Sequence, residues 1–232
     1  MSTTRRSLML GFGLLALTPM LVEAQEDDST PESFDKTGGQ DQPMASTPVA
    51  SPGTEEDPPL IDLLKHGAWG VASRDFEQVG EFPGYAIIIG TSIGAFPDPE
   101  TAAAAMPAIR SVQDIDPYNQ LELTEIDSLG DDQFFLWGPL TSQGVDLTVG
   151  LLIVERGPYA VLASGVGVAG LDFRSDLVDI VEFILSGAEA ADPQTKDGLM
   201  DVLPNPDDLP HLPTSDNFYE VSRERTRGGD AG

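Results

Sequence analysis

The chain has 232 residues, no cysteine, and 39 acidic residues against 12 lysines and arginines, for a net charge of −27. Disulfides, a cysteine nucleophile and Cys-ligated zinc are therefore excluded, and the acid excess repels both nucleic-acid phosphates and anionic membrane surfaces. The acids are spread, nine in 25–58, twenty in 59–190 and nine in 191–232, which suits a solvated surface, including one adapted to salt, better than one dedicated cation site.

Residues 1–24 carry the layout of an export signal. Arg5 and Arg6 precede an apolar run from Leu8 to Val22, which closes on the small-residue site Val22-x-Ala24. The run is interrupted by Gly11, Gly13 and Pro19 and falls short of the roughly twenty residues a spanning helix needs. Thr4-Arg5-Arg6-Ser7-Leu8-Met9 resembles the twin-arginine export motif, with general secretion as the alternative. Cleavage after Ala24 would place the protein outside the cell; an uncleaved signal would tether it. Residues 25–59 are rich in Ser, Thr, Pro, Gly and acids with little to bury, and read as a disordered acidic linker.

From 60 to 190 the composition becomes that of one compact domain. Leu60–Lys65 reads as a short amphipathic helix, and His66 to Phe76 opens a sheet. Tyr85–Ile93 is a strand rich in β-branched residues. Asp98-Pro99-Glu100 supplies an N-cap, a first-position proline and a first-turn acid to a helix from Thr101, which Pro107 kinks or ends. Strands follow at Leu121–Ile126, Gln133–Trp137, Val145–Glu155 and Tyr159–Ser164. In the third of these Leu147, Val149, Leu151 and Ile153 alternate as in a half-buried strand, and Gly157-Pro158 turns it into the fourth. Ser175-Asp176 caps a second helix that Gly187 ends. The fold class expected is α+β: one antiparallel sheet of about five to six strands, two helices on one face, and disordered flanks. Residues 191–232 read as a proline- and acid-rich tail with a frayed end at Arg223–Gly229. Its Leu199–Leu203 echoes Leu60–Leu64, and the prolines after it make an extended peptide able to dock on its own domain or on a partner.

The opening Trp69, Arg74 and Phe76 (W-x-x-x-x-R-x-F), the strand ending Ser92-Ile93-x-x-Phe96, the alanine-rich helix and Leu129-Gly130-Asp131-Asp132 carry a resemblance. The stretch 60–190 resembles uncharacterised secreted and lipoprotein α+β domains of actinobacteria and Chloroflexota, which are similar to the PsbP, Mog1 and LpqN-type fold. It departs from them at Asp131-Asp132-Gln133, where they more often show Gly-Asp-Glu-Ser. The resemblance implies a fold and carries over no catalytic residue.

Chemistry-bearing patterns are few. Gly165-x-Gly167-x-x-Gly170 matches the dinucleotide fingerprint, but the helix starts too late to meet a pyrophosphate, so it reads as a sheet-to-helix connection. Asp114, Asp116 and Glu125 fall at positions 1, 3 and 12 of a calcium loop, whose positions 5 and 6 are occupied by Tyr118 and Asn119. Of the histidines, His66 suits a helix end and His211 lies in the tail. No catalytic set, metal site or cofactor is named. Phe134, Phe135 and Trp137 form a candidate binding surface on the uncovered side of the sheet, because Phe134 must point away from the side shared by Phe135 and Trp137. The expected function is a secreted non-enzymatic binding module of the cell exterior. Its partner is an unidentified protein or small ligand, with cationic partners favoured by charge and nucleic acid excluded. A carboxylate-based hydrolase acting on wall polymer, and a cation-binding or salt-adapted structural protein, are the alternatives.

Overall fold

The computed structural model describes residues 62–79, 88–142, 144–210 and 218–232. The export signal, the whole linker and His211 lie outside them. Seven strands, β1 (Gly70–Val79), β2 (Ile88–Ala95), β3 (Glu122–Thr124), β4 (Asp132–Ser142), β5 (Val145–Arg156), β6 (Tyr159–Val168) and β7 (Phe218–Gly228), form one antiparallel sheet ordered β3-β4-β5-β6-β2-β1-β7. Among the described residues three α-helices accompany it: α1 (Pro99–Arg110), α2 (Arg174–Ala191) and α3 (Lys196–Asp201). Among the described residues no helix is long and apolar enough to cross a membrane.

Helices α2 and α3 pack together on one face of the sheet. Leu177, Ile180, Val181, Ile184 and Leu185 of α2 and Leu199 of α3 meet Phe135, Leu152, Val154, Val161 and Ala163. The expectation of both long helices on one face holds for α2 and fails for α1. Ala102, Ala105, Met106 and Ile109 of α1 meet Phe134, Leu136, Leu151, Ile153, Ala160 and Leu162, the alternate residues of the same strands. β5 is therefore buried on both faces from Thr148 to Glu155 rather than half-buried. Its alternation is real, since Val149, Leu151 and Ile153 do share a face, but the residues between them are Thr, Gly, Leu and Val and serve a second core.

Local chemistry explains the boundaries. Asp98 caps α1 as its spacing predicts, accepting from the Thr101 amide at 2.7 Å. Pro107 does not end α1. Its ring faces solvent, so the unbonded carbonyl one turn back is reachable by water, while Met106 and Ile109 anchor the last turns in the core. Helix α2 begins at Arg174 after Phe173, not at a Ser175-Asp176 cap. It also runs through Gly187, which lies 3.6 Å from Val202 as a Cβ would see it, and ends on Asp192 in the left-handed region (φ 44°). The β5–β6 hairpin turns at Gly157-Pro158 as expected, with Gly157 at φ 58°.

The tail is the largest correction. Residues 192–210 are docked on the sheet, with Leu199, Val202, Leu203 and Leu209 in the core, and 218–228 is an edge strand in place of a frayed end. Arg74, 8% exposed on β1, holds this arrangement. Its Nη1 donates to the carbonyls of Leu203 (3.3 Å) and Pro204 (2.7 Å) and to Asn205 Oδ1 (3.2 Å). Its Nε lies 2.9 Å from Glu224 on β7, an ion pair outside good hydrogen-bond alignment. The β1–β7 register slips at Asp75/Phe76, where Ser222 is the extra residue and its hydroxyl donates to the Asp75 carbonyl.

Candidate functional site

The three candidate aromatics separate as strand alternation requires. Phe134 is 3% exposed on the α1 side, with the Arg110 guanidinium 5.1 Å from its ring centre. Phe135 is fully buried on the α2 side. Trp137 shares that side but is only partly buried, at the margin of the core. Both sides of β4 are occupied here, so the sheet offers no uncovered side at these residues. Of the three, Trp137 reaches the surface.

A row of small residues makes room for it. Trp137, Gly150 and Gly165 are opposite one another on β4, β5 and β6. A Cβ at Gly150 would stand 2.8 Å from the Trp137 ring and 2.9 Å from Leu177; one at Gly165 would stand 2.4 Å from Phe173. The glycines thus leave a trough in which two aromatic rings lie against backbone. Trp137 meets Phe173 edge-to-face at 4.7 Å between centroids and Phe135 at 5.9 Å. This is also what the dinucleotide-like glycines do. Gly165 and Gly167 accommodate Phe173 and Leu171, and Gly170 turns the chain at φ 82°.

Over Trp137 sits a cation. The Arg174 guanidinium is 5.5 Å from the ring centre, within cation–π range. Asp172 holds it in a fork, accepting from Nε at 2.9 Å and from Nη2 at 2.5 Å. Those hydrogen bonds keep the Asp172 carboxyl below its ordinary value and push Arg174 up. On the neighbouring edge strand Glu122 lies opposite Trp137. The result is an aromatic ring whose orientation is fixed by packing, with a guanidinium over it. Such a group can stack on a planar or sugar ring, and the arginine can donate to oxygen. Phe173 and Arg174 escape a reading by spacing, which sees a connection there; a strand glycine beside an aromatic-containing turn is the signal that points to them.

The side chains of Asp131, Asp132 and Asp116 have structural employment. A Cβ at Gly130 would stand 2.2 Å from the Glu155 carbonyl, and the Asp131 amide donates to that same oxygen at 2.8 Å. Asp131 Oδ2 accepts from the Gly157 amide, while Asp132 accepts from Arg110 and from the Gln133 amide. Glu155 is 2% exposed, and burial, then Asp131 and Asp132, raise its pKa. In the calcium-like stretch Tyr118 turns into the α1-side core and Asp116 accepts from Gln120. Among the described residues no three His, Asp or Glu side chains are grouped to hold a metal ion. His66 is exposed at the end of the short 3-10 turn Leu63–His66, just before Gly67 at φ 99°.

No family profile matches the chain, and no curated protein matches it significantly. Two solved structures are similar over part of their length. One is a Pseudomonas aeruginosa protein of unknown function, at 17% identity and a TM-score of 0.27, covering 56% of this chain and 82% of that one. The other is a Bacteroides thetaiotaomicron protein at 13% identity and a TM-score of 0.24, covering 54% and 59%.

Proposed function

We propose that the chain is a secreted, non-enzymatic binding module of the cell exterior, and that Trp137 with Arg174 is where it takes its protein or small-molecule partner. The observation that carries the reading is the half-buried Trp137 ring, clamped edge-to-face by Phe135 and Phe173 under a guanidinium. Tryptophan and arginine are the side chains that most often dominate binding energy, and a pre-oriented ring loses little rotamer freedom on contact. Asp131 and Asp132 are engaged in a turn and an ion pair. The signal layout of residues 1–24 supports an exterior location, by the twin-arginine route, and the resemblance to secreted α+β domains of the PsbP, Mog1 and LpqN type belongs to the same reading.

The test is recovery of the protein from its native culture with whatever it holds, followed by intact-mass analysis of partner and N-terminus. Trp137→Ala and Arg174→Gln should each lose the partner at least tenfold, Trp137→Phe should retain part of it, and the N-terminus should be Gln25. Equal capture by a folded Trp137→Ala protein would overturn the site, and an intact Met1 would overturn cleavage.

A further inference from the structure

Around Trp137 and Arg174 the side chains are rich in carboxylate. On β4, Trp137, Pro139 and Thr141 share one side by alternation, and the last two are exposed. Exposed Glu122 stands opposite Trp137 on β3, and Asp146 on β5 accepts from the Thr141 hydroxyl at 2.7 Å. From the β6–α2 corner come Asp172 and Arg174, both about half exposed, followed by Asp176 and Asp179 in the first turns of α2. Arg174 is placed against local electrostatics. It is the first residue of α2, where the helix dipole disfavours a cation, and the Asp172 fork offsets this. A local rule broken beside an oriented ring is what a binding site looks like.

Charge restricts the ligand. Burial, then Asp179 and Asp172, raise the pKa of Asp176, so the field at this corner is negative. An anion would meet that field, because Asp172 already neutralises the guanidinium. A cation would have to take the Trp137 ring from Arg174. An uncharged ligand meets neither obstacle. The remaining polar groups describe its chemistry. Asp172 takes Nε and Nη2 of Arg174, and among the described residues nothing accepts from Nη1. The ligand must therefore accept from a guanidinium and donate to carboxylates, and a hydroxyl does both. The indole adds a flat apolar surface for C–H groups. Several hydroxyls around a C–H face describe a sugar.

We propose that the Trp137–Arg174 site takes an uncharged sugar unit of a saccharide, its C–H face against the indole and its hydroxyls on Arg174 and the neighbouring carboxylates. The inference rests on the reading of these two residues as the binding site and adds the class of ligand.

Calorimetric titration of the full chain with cellohexaose, chitohexaose, maltohexaose and xylohexaose tests this, with the galacturonate hexamer and the glucosamine hexamer as anionic and cationic counterparts. At least one neutral hexamer should bind saturably. Its Kd should change less than about twofold between roughly 0.05 and 1 M salt, because an uncharged ligand has no Coulomb attraction to screen. Arg174→Gln and Trp137→Ala should each weaken binding at least tenfold, and Trp137→Phe several-fold, in proteins that still unfold cooperatively. Binding of none of the four, or tighter binding of a charged hexamer that salt abolishes, would overturn the sugar. Where Trp137→Ala loses the native partner and no neutral hexamer binds, the site stands and its ligand class is wrong. A neutral hexamer that binds a folded Trp137→Ala protein as tightly as the parent overturns the site itself.

Discussion

At the scale of single residues, glycines decide where the aromatic rings can go. Gly165 is in ordinary strand conformation, so its necessity comes from the Phe173 ring 2.4 Å from where a Cβ would be. Gly165→Ala should force that ring, and with it the Trp137 contact, out of place and cost about 1–3 kcal/mol as overpacking. Gly229, with nothing within 4 Å, is the control, and its alanine variant should unfold within about 0.5 kcal/mol of the parent. Urea titration of the two variants, with tryptophan emission recorded alongside, checks both. An unshifted midpoint for Gly165→Ala would remove the trough as the reason for the glycine.

At the scale of elements, Arg74 joins three that are far apart in the chain. It reaches the turn after α3, 129 to 131 residues away, and pairs with Glu224 on β7. Its loss would leave buried carbonyls without a donor, so Arg74→Met should cost about 2–4 kcal/mol. Glu224, half exposed in the same pair, should cost under about 1 kcal/mol when changed to Gln. Chemical denaturation of the two variants separates the roles, and equal effects would mean that the surface ion pair, not the carbonyl clasp, holds the tail.

For the whole molecule, acid excess makes stability depend on pH in a definite direction. Burial and neighbouring carboxylates raise Glu155, and burial, Asp179 and Asp172 raise Asp176. A carboxyl whose pKa is higher folded than unfolded binds its proton more tightly in the fold, so stability falls as pH rises through that interval. Asp98 and Asp172 are lowered and act oppositely, losing stability only below the ordinary carboxylate range. The melting temperature should therefore rise on acidification from neutrality to about pH 5 and fall below about pH 4. Glu155→Gln should flatten the first part of that rise. A melting temperature that drops steadily from pH 7 would show that the buried carboxylates do not set the profile.

What the chain's sequence determined by itself is local: the Asp98 cap, the Gly157-Pro158 hairpin, the alternation of β5 and the opposite sides of Phe134 and Phe135. Each depends on backbone sterics or on the two-residue period of a strand, which act between neighbours. Tertiary structure decided the rest. Alternation says that two faces exist but not which helix covers each, so α1 had to be seen under Phe134 and Leu151. A proline-rich acidic tail looks unfoldable until Arg74, far away in sequence, offers its carbonyls a donor. Trp137 is distinguished from Phe135 only by Phe173 and Arg174, which the β6–α2 connection brings over it, because exposure and ring contacts are properties of surfaces meeting, not of spacing along one strand.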